Sequence, residues 1–375
     1  PNEDPRNPRP DIVAFVLDDI PPLDGRMWEA LPNIERTFVR QGLEFTDAHS
    51  ETPTCTPGRA GLLTGQHTQH HGAYRTDGSN FDSSGTVATA LQSEGYHTIM
   101  VGKYVNQFDR AWDKHPTGWD EFNGYGGGYY DYDLYRNGVQ EHHGKRPRDY
   151  STDVIARITR QSLDKAPAGK PLFAWIAPYS MHKPWSVAPR HRKSRQCRIP
   201  RWKPPGYMER NVRDKPAYVG DRKIKWRKGY DLTRVCRGML SVDEMIGDVV
   251  RKLKKLGRLE NSMLILTSDN GMAFGSQRFL HDKKAPYGTQ VPLMMRWPRL
   301  LGTVPKSVGE RVQNIDLAPT LCDIAGCTLG PFSNGSLRAD GVSLVKLMTG
   351  QRKRLKRSAV ITSYQDVARV PRYWS

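Results

Sequence analysis

The sequence predicts an α/β fold in which a mixed, mostly parallel sheet carries helices on both faces. The first observation is a pair of short apolar runs, Asp11–Leu17 and Ser262–Ser268, which are rich in β-branched residues and end at polar pairs. Buried parallel strands have this pattern. The second observation is that helical periodicities alternate with further apolar runs along the chain. This order is typical of a doubly wound sheet, which binds ligands beyond the carboxyl ends of its strands.

The other elements follow from periodicity. The apolar residues of 239–256 recur every three to four positions until Gly257, which predicts the clearest helix. Near residue 338 the pattern thins into a basic stretch, 352–357, and one strand-like run, 358–364. We therefore predict a core domain at 1–335 and a partial C-terminal subdomain at 336–375. The remaining predicted elements are helices at 86–94 and 315–325 and strands at 96–101, 172–176 and 291–297.

Composition limits the class of protein. The 375 residues suffice for a sizeable core, and no run approaches the length of a membrane span, so none is expected. The polar, Pro-rich residues 1–10 lack the charged-then-apolar pattern of a leader, and this terminus does not indicate export either way. Five cysteines are an odd number without metal-finger spacing, so we expect one to stay outside any disulfide or zinc site. They are Cys55, Cys197, Cys236, Cys322 and Cys327.

The net charge of +18 is concentrated in one segment. Residues 183–228 contain sixteen Lys and Arg against three acidic residues, together with many Pro and aromatic residues. We interpret 182–230 as a basic surface excursion that favours an anionic partner. A solvated loop without a partner is the alternative. No nucleic-acid partner is expected, because the sequence has no helix-turn-helix, zinc-finger or RNA-binding signature.

Polar pairs follow the two clearest strands. Asp18 and Asp19 come after the first, and Asp269 and Asn270 come after the second. Their oxygen atoms suit a hard divalent cation, with Ca²⁺ preferred and Mg²⁺ possible. The alternative for each pair alone is that it caps the following loop.

One motif resembles the signature of a known family. Residues 55–59 are Cys-Thr-Pro-Gly-Arg and residues 62–65 are Leu-Leu-Thr-Gly. This segment resembles the Cys-x-Pro-x-Arg signature of the formylglycine-dependent sulfatase family, with Gly58 at the usual Ser position. The resemblance spans about residues 10–345, and its motif pattern is most similar to the N-acetylglucosamine-6-sulfatase and heparan-sulfatase branch. Its further matches, in the family's order, are 18–19, 102–104, 135–138, 177–182, 269–271, Lys283 with Tyr287, 291–292 and 314–320.

The resemblance implies an alkaline-phosphatase-like fold and hydrolysis of O-sulfate esters, here from a sulfated, glycosaminoglycan-like carbohydrate. It implies that a maturation enzyme converts Cys55 to formylglycine, whose hydrate is the nucleophile. It also implies a secreted, periplasmic or lysosomal location in preference to the cytoplasm. The implied metal ligands are Asp18, Asp19, Cys55, Asp269 and Asn270. The implied catalytic residues are Cys55, Arg59, Lys103, His182 and Lys283, and Asn106, Lys103 and Lys283 are the implied substrate-binding residues.

The residue types agree with this chemistry. A sulfate ester stays anionic at ordinary pH, so its pocket needs the permanent charges that Arg and Lys supply. His182 has the pKa range suited to protonating a leaving alcohol. Pro57 is placed to open a helix whose first N–H groups face residue 55. Two departures from the family pattern are Val105, where many members have His, and a short segment between Tyr287 and Val291.

Other interpretations remain open. A phosphate mono- or diester hydrolase can use the same fold and pocket, and a non-catalytic basic protein that binds polysaccharide would share the charge. For the cluster of His67, His70 and His71 we favour a supporting or loop role over a transition-metal site. Residues 122–135, rich in Gly and Tyr, form either a sugar-stacking wall or a structured loop.

Overall fold

A computed structural model describes residues 9–363 except 75, 80, 111–114, 225–227, 284–286, 333, 337 and 358. Within these residues the chain forms fourteen strands. They are β1 (Asp11–Leu17), β2 (Leu43–Phe45), β3 (Ala48–His49), β4 (His97–Lys103), β5 (Glu121–Tyr125), β6 (Tyr132–Arg136), β7 (Val139–His143), β8 (Leu172–Ala177), β9 (Ser262–Ser268), β10 (Ala273–Phe274), β11 (Leu280–Asp282), β12 (Leu293–Arg296), β13 (Lys306–Val308) and β14 (Val312–Gln313).

Helices connect these strands. In the described part of the chain the α-helices are α1 (Gly25–Glu29), α2 (Pro32–Ile34), α3 (Cys55–Thr64), α4 (Thr68–His71), α5 (Val87–Ser93), α6 (Ser151–Lys165), α7 (Ala217–Gly220), α8 (Thr233–Lys255), α9 (Pro298–Leu301), α10 (Leu317–Ala325) and α11 (Val345–Met348). Short 3₁₀ turns lie at Phe108–Arg110, Pro147–Asp149, Pro189–His191, Leu259–Asn261 and Asn314–Asp316, and a π-helical turn lies at Glu35–Val39.

Ten of the described strands form one sheet in the order β13-β2-β12-β9-β1-β8-β4-β5-β6-β7. Strand β1 lies at its centre and runs parallel to β8 and β9, and β4 runs parallel to β8 and β5. Strand β12 is antiparallel to both of its neighbours. The sheet is therefore mixed and mostly parallel at its centre, and the carboxyl ends of β1, β4, β8 and β9 meet at one edge.

Both faces of this sheet are covered. Val13, Phe15 and Leu17 of β1 belong to one apolar core, which includes buried residues of α6 and α8. The intervening residues of β1 belong to a second core, with residues of α3, α5 and α10. This two-residue alternation follows from the geometry of a strand buried on both sides. It confirms the predicted helices on both faces.

The structure extends some predictions and corrects others. Strands β1 and β9 have the predicted bounds, while α8 begins at Thr233, six residues before the predicted start at 239. The amphipathic helix α6 and the antiparallel strands β6 and β7 were not predicted. The strand prediction at 358–364 is wrong where the structure describes it, since 359–363 form no strand. Its two end residues lie outside the described residues.

The C-terminal segment packs on the main body. Leu344, Leu347 and Met348 are buried in the second core, and Arg357 forms an ion pair with Asp316. The described part of this segment therefore completes the core of the larger unit. The domain boundary at 336 stays a prediction.

Two disulfides leave one cysteine free. Cys197 pairs with Cys236 and thereby fixes the basic excursion to the start of α8, and Cys322 pairs with Cys327 at the end of α10. Cys55 is free and buried, so one cysteine stays outside the disulfides, as the odd count predicted. Among the described residues, no helix combines the length and apolar composition needed to cross a bilayer.

Candidate active site

The site lies where the parallel strands end. Asp18 and Asp19 follow β1, Asp269 and Asn270 follow β9, and Lys103 is the last residue of β4. Because β9 is a neighbour of β1 and β4 is its next neighbour, all in parallel register, their following residues converge on one edge. The fold therefore brings together two polar pairs that are 250 positions apart in the sequence.

Helix α3 presents Cys55 to this edge. The helix begins at Cys55 itself, after an extended Thr54, and Pro57 is its third residue. The helix therefore begins two residues before Pro57, which corrects the expectation that Pro57 opens it. Gly58 packs against the other side of the site, where an added Cβ would lie 2.2 Å from the carbonyl oxygen of Asp269. A side chain at position 58 would displace either the helix or the end of β9.

Oxygen atoms and the Cys55 sulfur form a compact group. One ligand atom each from Asp18, Asp19, Cys55 and Asp269 lies within 4.8 Å of all the others. The Sγ of Cys55 is 3.6 Å from Asp18 Oδ1 and 3.8 Å from Asp19 Oδ1. Asn270 Nδ2 donates to Asp19 Oδ1 at 2.9 Å, which joins the two strand ends.

Two acceptors of this group lack hydrogen bonds. Asp19 Oδ2 and Asn270 Oδ1 are buried and accept none from the described residues. A buried carboxylate or amide oxygen without a partner is costly unless something else satisfies it. A hard divalent cation is the ligand that an all-oxygen group of this kind accepts. The predicted metal-binding residues are therefore together and chemically suited to a cation.

Three cationic side chains surround the same point. Lys283 Nζ is 3.3 Å from Cys55 Sγ and forms an ion pair with Asp19. Lys103 Nζ donates to Asp18 Oδ2 at 2.6 Å. Arg59 Nε donates to Asp269 Oδ2 at 2.8 Å. The short segment after Lys283 does not remove this lysine from the site.

The charges stabilise one another. Burial opposes ionisation of Asp18, but Lys103 and Arg59 outweigh burial and hold the pKa of this carboxyl well below its usual range. Burial also opposes the charge of Lys103, but Asp18 and the other negative groups of the site together outweigh burial, so the pKa of Lys103 is raised. Burial raises the pKa of the Cys55 thiol to about 12. The site thus keeps its lysine charged and its unmodified thiol protonated.

His182 faces the site from the loop after β8. Its Nε2 is 3.8 Å from Asp19 Oδ2, and the ring lies with Asp18 and Cys55 in a second group of possible ligands. Its Nδ1 lies 2.7 Å from the carbonyl oxygen of Lys183. Because a carbonyl oxygen only accepts hydrogen bonds, Nδ1 carries a hydrogen and donates it to this bond. The Nε2 atom is therefore the one directed toward the reacting group.

Two tyrosines that the sequence did not indicate position His182. The hydroxyl of Tyr179 lies 2.7 Å from His182 Nδ1, and its ring lies 5.3 Å from Lys103 Nζ. The hydroxyl of Tyr129 donates to the carbonyl oxygen of His182 at 2.5 Å. The spacing of three between Tyr179 and His182 was the available signal for the first. The second comes from a distant loop and has no local signal.

Asn106 lies behind the start of α3. Its backbone N–H donates to the hydroxyl of Thr56 at 3.1 Å, and its side-chain Oδ1 is buried without a hydrogen bond. No described contact joins it to Cys55 Sγ, Lys103 Nζ or Lys283 Nζ. Its substrate-binding role stays a prediction.

The histidine cluster does not converge on a metal. His67 Nδ1 lies 3.7 Å from Glu51, and His70 contacts Asp340 at 2.7 Å. His71 is buried and accepts the N–H of Ala73. Among the described residues these histidines form no group of convergent ligands, so the geometry favours the supporting role.

The Gly- and Tyr-rich stretch at 122–135 is mostly structural. It contains parts of β5 and β6, and Phe122, Tyr125, Tyr129 and Tyr132 are buried. Buried rings cannot stack on a sugar, so the structured interpretation is favoured. Tyr130 is the partly exposed ring in this stretch.

Comparisons with known proteins agree with this geometry. A family model described as Sulfatase matches residues 10–327. The chain is 31% identical to N-acetylglucosamine-6-sulfatase of Homo sapiens over an alignment of 386 positions, which covers 96% of this chain and 68% of that protein.

Solved structures share the fold. A protein in complex with its substrate D-glucosamine-2-N,6-O-disulfate superposes with a TM-score of 0.78 at 22% identity, covering 98% of this chain and 86% of that chain. The phosphonate monoester hydrolase of Agrobacterium radiobacter superposes with a TM-score of 0.69 at 20% identity, covering 96% and 81%. At these identities both likenesses establish the fold alone, and the predicted alkaline-phosphatase-like architecture is confirmed.

Proposed function

The chain belongs to the sulfatase family, and on this premise we propose that it removes O-sulfate groups from a sulfated carbohydrate of the glycosaminoglycan type. The observation that carries the proposal is the surroundings of Cys55 Sγ. Lys283 Nζ lies 3.3 Å from this sulfur, and the carboxylates of Asp18 and Asp19 lie 3.6 and 3.8 Å from it. A nucleophile at this position has both a cation-binding group and a positive charge for an anionic substrate.

The cation site fits the chain's own ligands. Asp18, Asp19, Asp269 and Asn270 would hold the ion together with residue 55, and the unpartnered oxygens of Asp19 and Asn270 are available to it. We propose Ca²⁺, because the ligands are oxygens from separate loops, and Mg²⁺ is the alternative. When bound, the ion acidifies the attacking hydroxyl and neutralises charge on the sulfate oxygens.

We further propose that a maturation enzyme oxidises Cys55 to formylglycine. The hydrate of this aldehyde supplies two hydroxyl groups, one to attack sulfur and one to expel sulfate afterwards. The side chain of residue 55 is buried at the start of α3, beside both lysines and away from bulk water. A protonated thiol in that position is a weak nucleophile, and serine has one hydroxyl group only.

The cationic side chains hold the sulfate group. Lys103 and Lys283 supply positive charge beside Cys55, and Asp18 and Asp19 orient their ammonium groups. Arg59 acts one step away by holding Asp269 and by donating to the carbonyl oxygen of Lys103 at 2.6 Å. Preorganised charges of this kind stabilise a transition state without reorganisation. Asn106 is proposed as a further contact of the substrate.

His182 protonates the departing alcohol oxygen. The Lys183 carbonyl fixes the ring so that Nε2 faces the site, and Tyr179 packs against the ring with centroids 4.7 Å apart. An alkyl sugar alkoxide is a poor leaving group, so proton transfer from Nε2 has a large effect on its rate. The same ring can then accept a proton when sulfate is expelled.

The two disulfides bear on the location. Disulfides persist in oxidising environments and are rare in reducing ones, and this chain forms both Cys197–Cys236 and Cys322–Cys327. They support a secreted, periplasmic or lysosomal location. A polyanionic carbohydrate is also the partner that the net charge of +18 favours.

Sulfate release tests the function. The matured protein with Ca²⁺ should release sulfate from N-acetylglucosamine-6-sulfate and from glycosaminoglycan oligosaccharides, and much less phosphate from the matching phosphate ester. Intact-mass measurement should show a loss of about 18 Da that disappears in Cys55→Ala, since oxidation of the thiol to the aldehyde removes sulfur. A preference for the phosphate ester would support the phosphohydrolase alternative. Polysaccharide binding with an unmodified Cys55 and no turnover would support the non-catalytic one.

Cys55→Ser separates the mechanisms within this function. Serine keeps one hydroxyl group, so the variant should fold and should not turn over repeatedly. Full multiple-turnover activity of Cys55→Ser would remove the need for formylglycine.

A further inference from the structure

A groove of about 830 Å³ opens beside the loop that carries His182. One wall is the 185–187 segment of that loop, and the other is the start of α8 with the residues before it. Both sugar-stacking and anion-binding side chains line it. They include Tyr130, Trp185, Arg192, Tyr230, Arg234 and Arg237. We refer to it as the arginine groove.

The arginine groove is rigidly connected to the proton donor. The N–H of Trp185 donates to the carbonyl oxygen of His182 at 3.0 Å, and Arg234 Nε donates to the carbonyl oxygen of Trp185 at 3.0 Å. Tyr150 donates from its hydroxyl to the carbonyl oxygen of Ser186 at 2.9 Å. Because the leaving oxygen of a substrate faces His182, the remainder of the substrate extends past this residue. The arginine groove begins within three residues of it.

Trp185 is held in a strained conformation at this wall. Its φ of 54° lies in the left-handed region, where a bulky side chain is an outlier. The two hydrogen bonds to its backbone maintain this conformation, and its side chain is only partly buried. Strain of this type is stored at functional sites. It keeps an aromatic ring at the groove, where a sugar can stack.

The charge of the groove is available for a ligand. No ion pair joins Arg192, Arg234 or Arg237 to a carboxylate among the described residues. Asp231 is the acidic side chain in the lining, and it pairs with Arg201 at 4.0 Å. By contrast, Arg190 of the same excursion is held by both Asp153 and Glu244. Arg190 is therefore held by two carboxylates, whereas Arg192 of the groove forms no ion pair among the described residues.

We propose that the arginine groove binds a second anionic sugar of the same carbohydrate chain, next to the sugar whose sulfate is removed. This inference rests on the proposed function and specifies its substrate as an oligosaccharide with at least one further sulfate or carboxylate group. The guanidinium groups bind that anion, and Trp185 and Tyr130 contact the sugar ring. The basic excursion thus acts through a defined site and not through diffuse charge.

The test compares two adjacent cationic residues. Arg192→Glu reverses a charge inside the arginine groove, whereas Lys193→Glu makes the same change one residue outside its lining. Arg192→Glu should raise the KM for a sulfated tetrasaccharide about fivefold to tenfold, because one ionic contact becomes repulsive. It should leave turnover of an aryl sulfate within about twofold, and Lys193→Glu should change neither substrate by more than that. Equal effects of both variants, or no effect of either, would overturn the proposal.

Binding without turnover separates this proposal from the proposed function. In a Cys55→Ala background, calorimetry should show that the tetrasaccharide binds, that Arg192→Glu weakens it and that rising ionic strength weakens it further. Trp185→Ala should also weaken binding, while circular dichroism reports whether the variant folds. An oligonucleotide of equal charge that binds as tightly, with the same sensitivity to Arg192→Glu, would contradict a carbohydrate site. These results do not depend on whether sulfate is released.

Discussion

Gly58 shows how closely helix α3 approaches the metal-binding edge. The sequence marked this residue as a departure from the usual Ser of the family's signature, and the structure supplies a physical reason. An added Cβ would lie 2.2 Å from the Asp269 carbonyl oxygen and 3.3 Å from Ser50 Oγ. Neither neighbour is free to move, because Ser50 itself donates to the Asp269 carbonyl at 2.8 Å.

Gly58→Ala should therefore lower both stability and activity. Overpacking a close backbone contact costs about 1–3 kcal/mol, which denaturant unfolding measures, and the displaced Asp269 should reduce sulfate release. Gly25→Ala is the matched control, because a Cβ there meets nothing within 4 Å at the start of α1. It should be neutral or stabilising by up to about 1 kcal/mol. Wild-type stability of Gly58→Ala would mean that the helix can shift without loss.

His182 allows a second prediction at this scale. His182→Ala should reduce turnover of an alkyl sugar sulfate about 100-fold to 10,000-fold, the range for loss of a general acid. An activated aryl sulfate, whose phenolate leaves without a proton, should lose less than about tenfold. Steady-state kinetics on the two substrates measures the difference. Equal losses would show that His182 binds the sulfate group instead of protonating the leaving oxygen.

At the scale of elements, the ends of β1 and β9 carry the cation site. Because Ca²⁺ should bind the folded chain and not the unfolded one, it should raise the unfolding temperature. The increase should grow with the ratio of free Ca²⁺ concentration to Kd. Asp19→Asn removes the charge of one ligand, and Asn270→Ala removes an oxygen ligand, so both should abolish this shift. Asp24→Asn, an N-cap residue outside the site, is the control and should keep the shift. Zinc-dependent stabilisation that depends on His67 or His70 would contradict the assignment.

The elements that the sequence predicted well are those whose burial is uniform. Strands β1 and β9 are buried along their whole length, so apolar, β-branched runs marked their bounds correctly. Strand β7 has no buried residue, so apolar alternation could not mark it. Its pairing with β6 is a hairpin through Asn137-Gly138, both at positive φ, and this local turn signal was not used. Helix α6 was missed although Val154, Ile155 and Ile158 are spaced for one buried face. That signal was present and was not used.

The candidate site shows the same division. Residues in ordered motifs, such as Asp18, Cys55 and Lys103, were assigned from the sequence and lie within one set of contacts. The support of His182 by Tyr129 joins loops 53 positions apart and could not be predicted from spacing. The short segment between Tyr287 and Val291 departs from the family pattern and made the place of Lys283 in the site uncertain from the sequence. The length of a loop does not determine where its side chains lie. The contact of Lys283 with Cys55 Sγ is a result of the fold.

At the scale of the whole molecule, we expect low pH to lower the stability of the fold in two ways. As carboxylates become protonated, the net positive charge rises and the cationic residues repel one another more strongly. A buried neutral histidine adds to this effect, and His71 is such a residue. Burial lowers its pKa to about 4, and its Nε2 is buried without a hydrogen bond among the described residues.

The sign of the effect follows from linkage. The unfolded chain protonates His71 near pH 6.5 and the folded chain only near pH 4, so the contribution is complete above about pH 6.5 and is lost as pH falls toward 4. The loss over this window is about 3 kcal/mol.

The unfolding temperature should therefore fall between pH 7 and pH 4, and it should fall less in His71→Asn than in the wild type. Asparagine keeps an acceptor for the Ala73 N–H, which donates to His71 Nδ1 at 3.1 Å, and does not titrate. His142→Asn, at an exposed position, is the control and should retain the wild-type drop. An equal drop in wild type and His71→Asn would assign acid sensitivity to the carboxylates and the net charge.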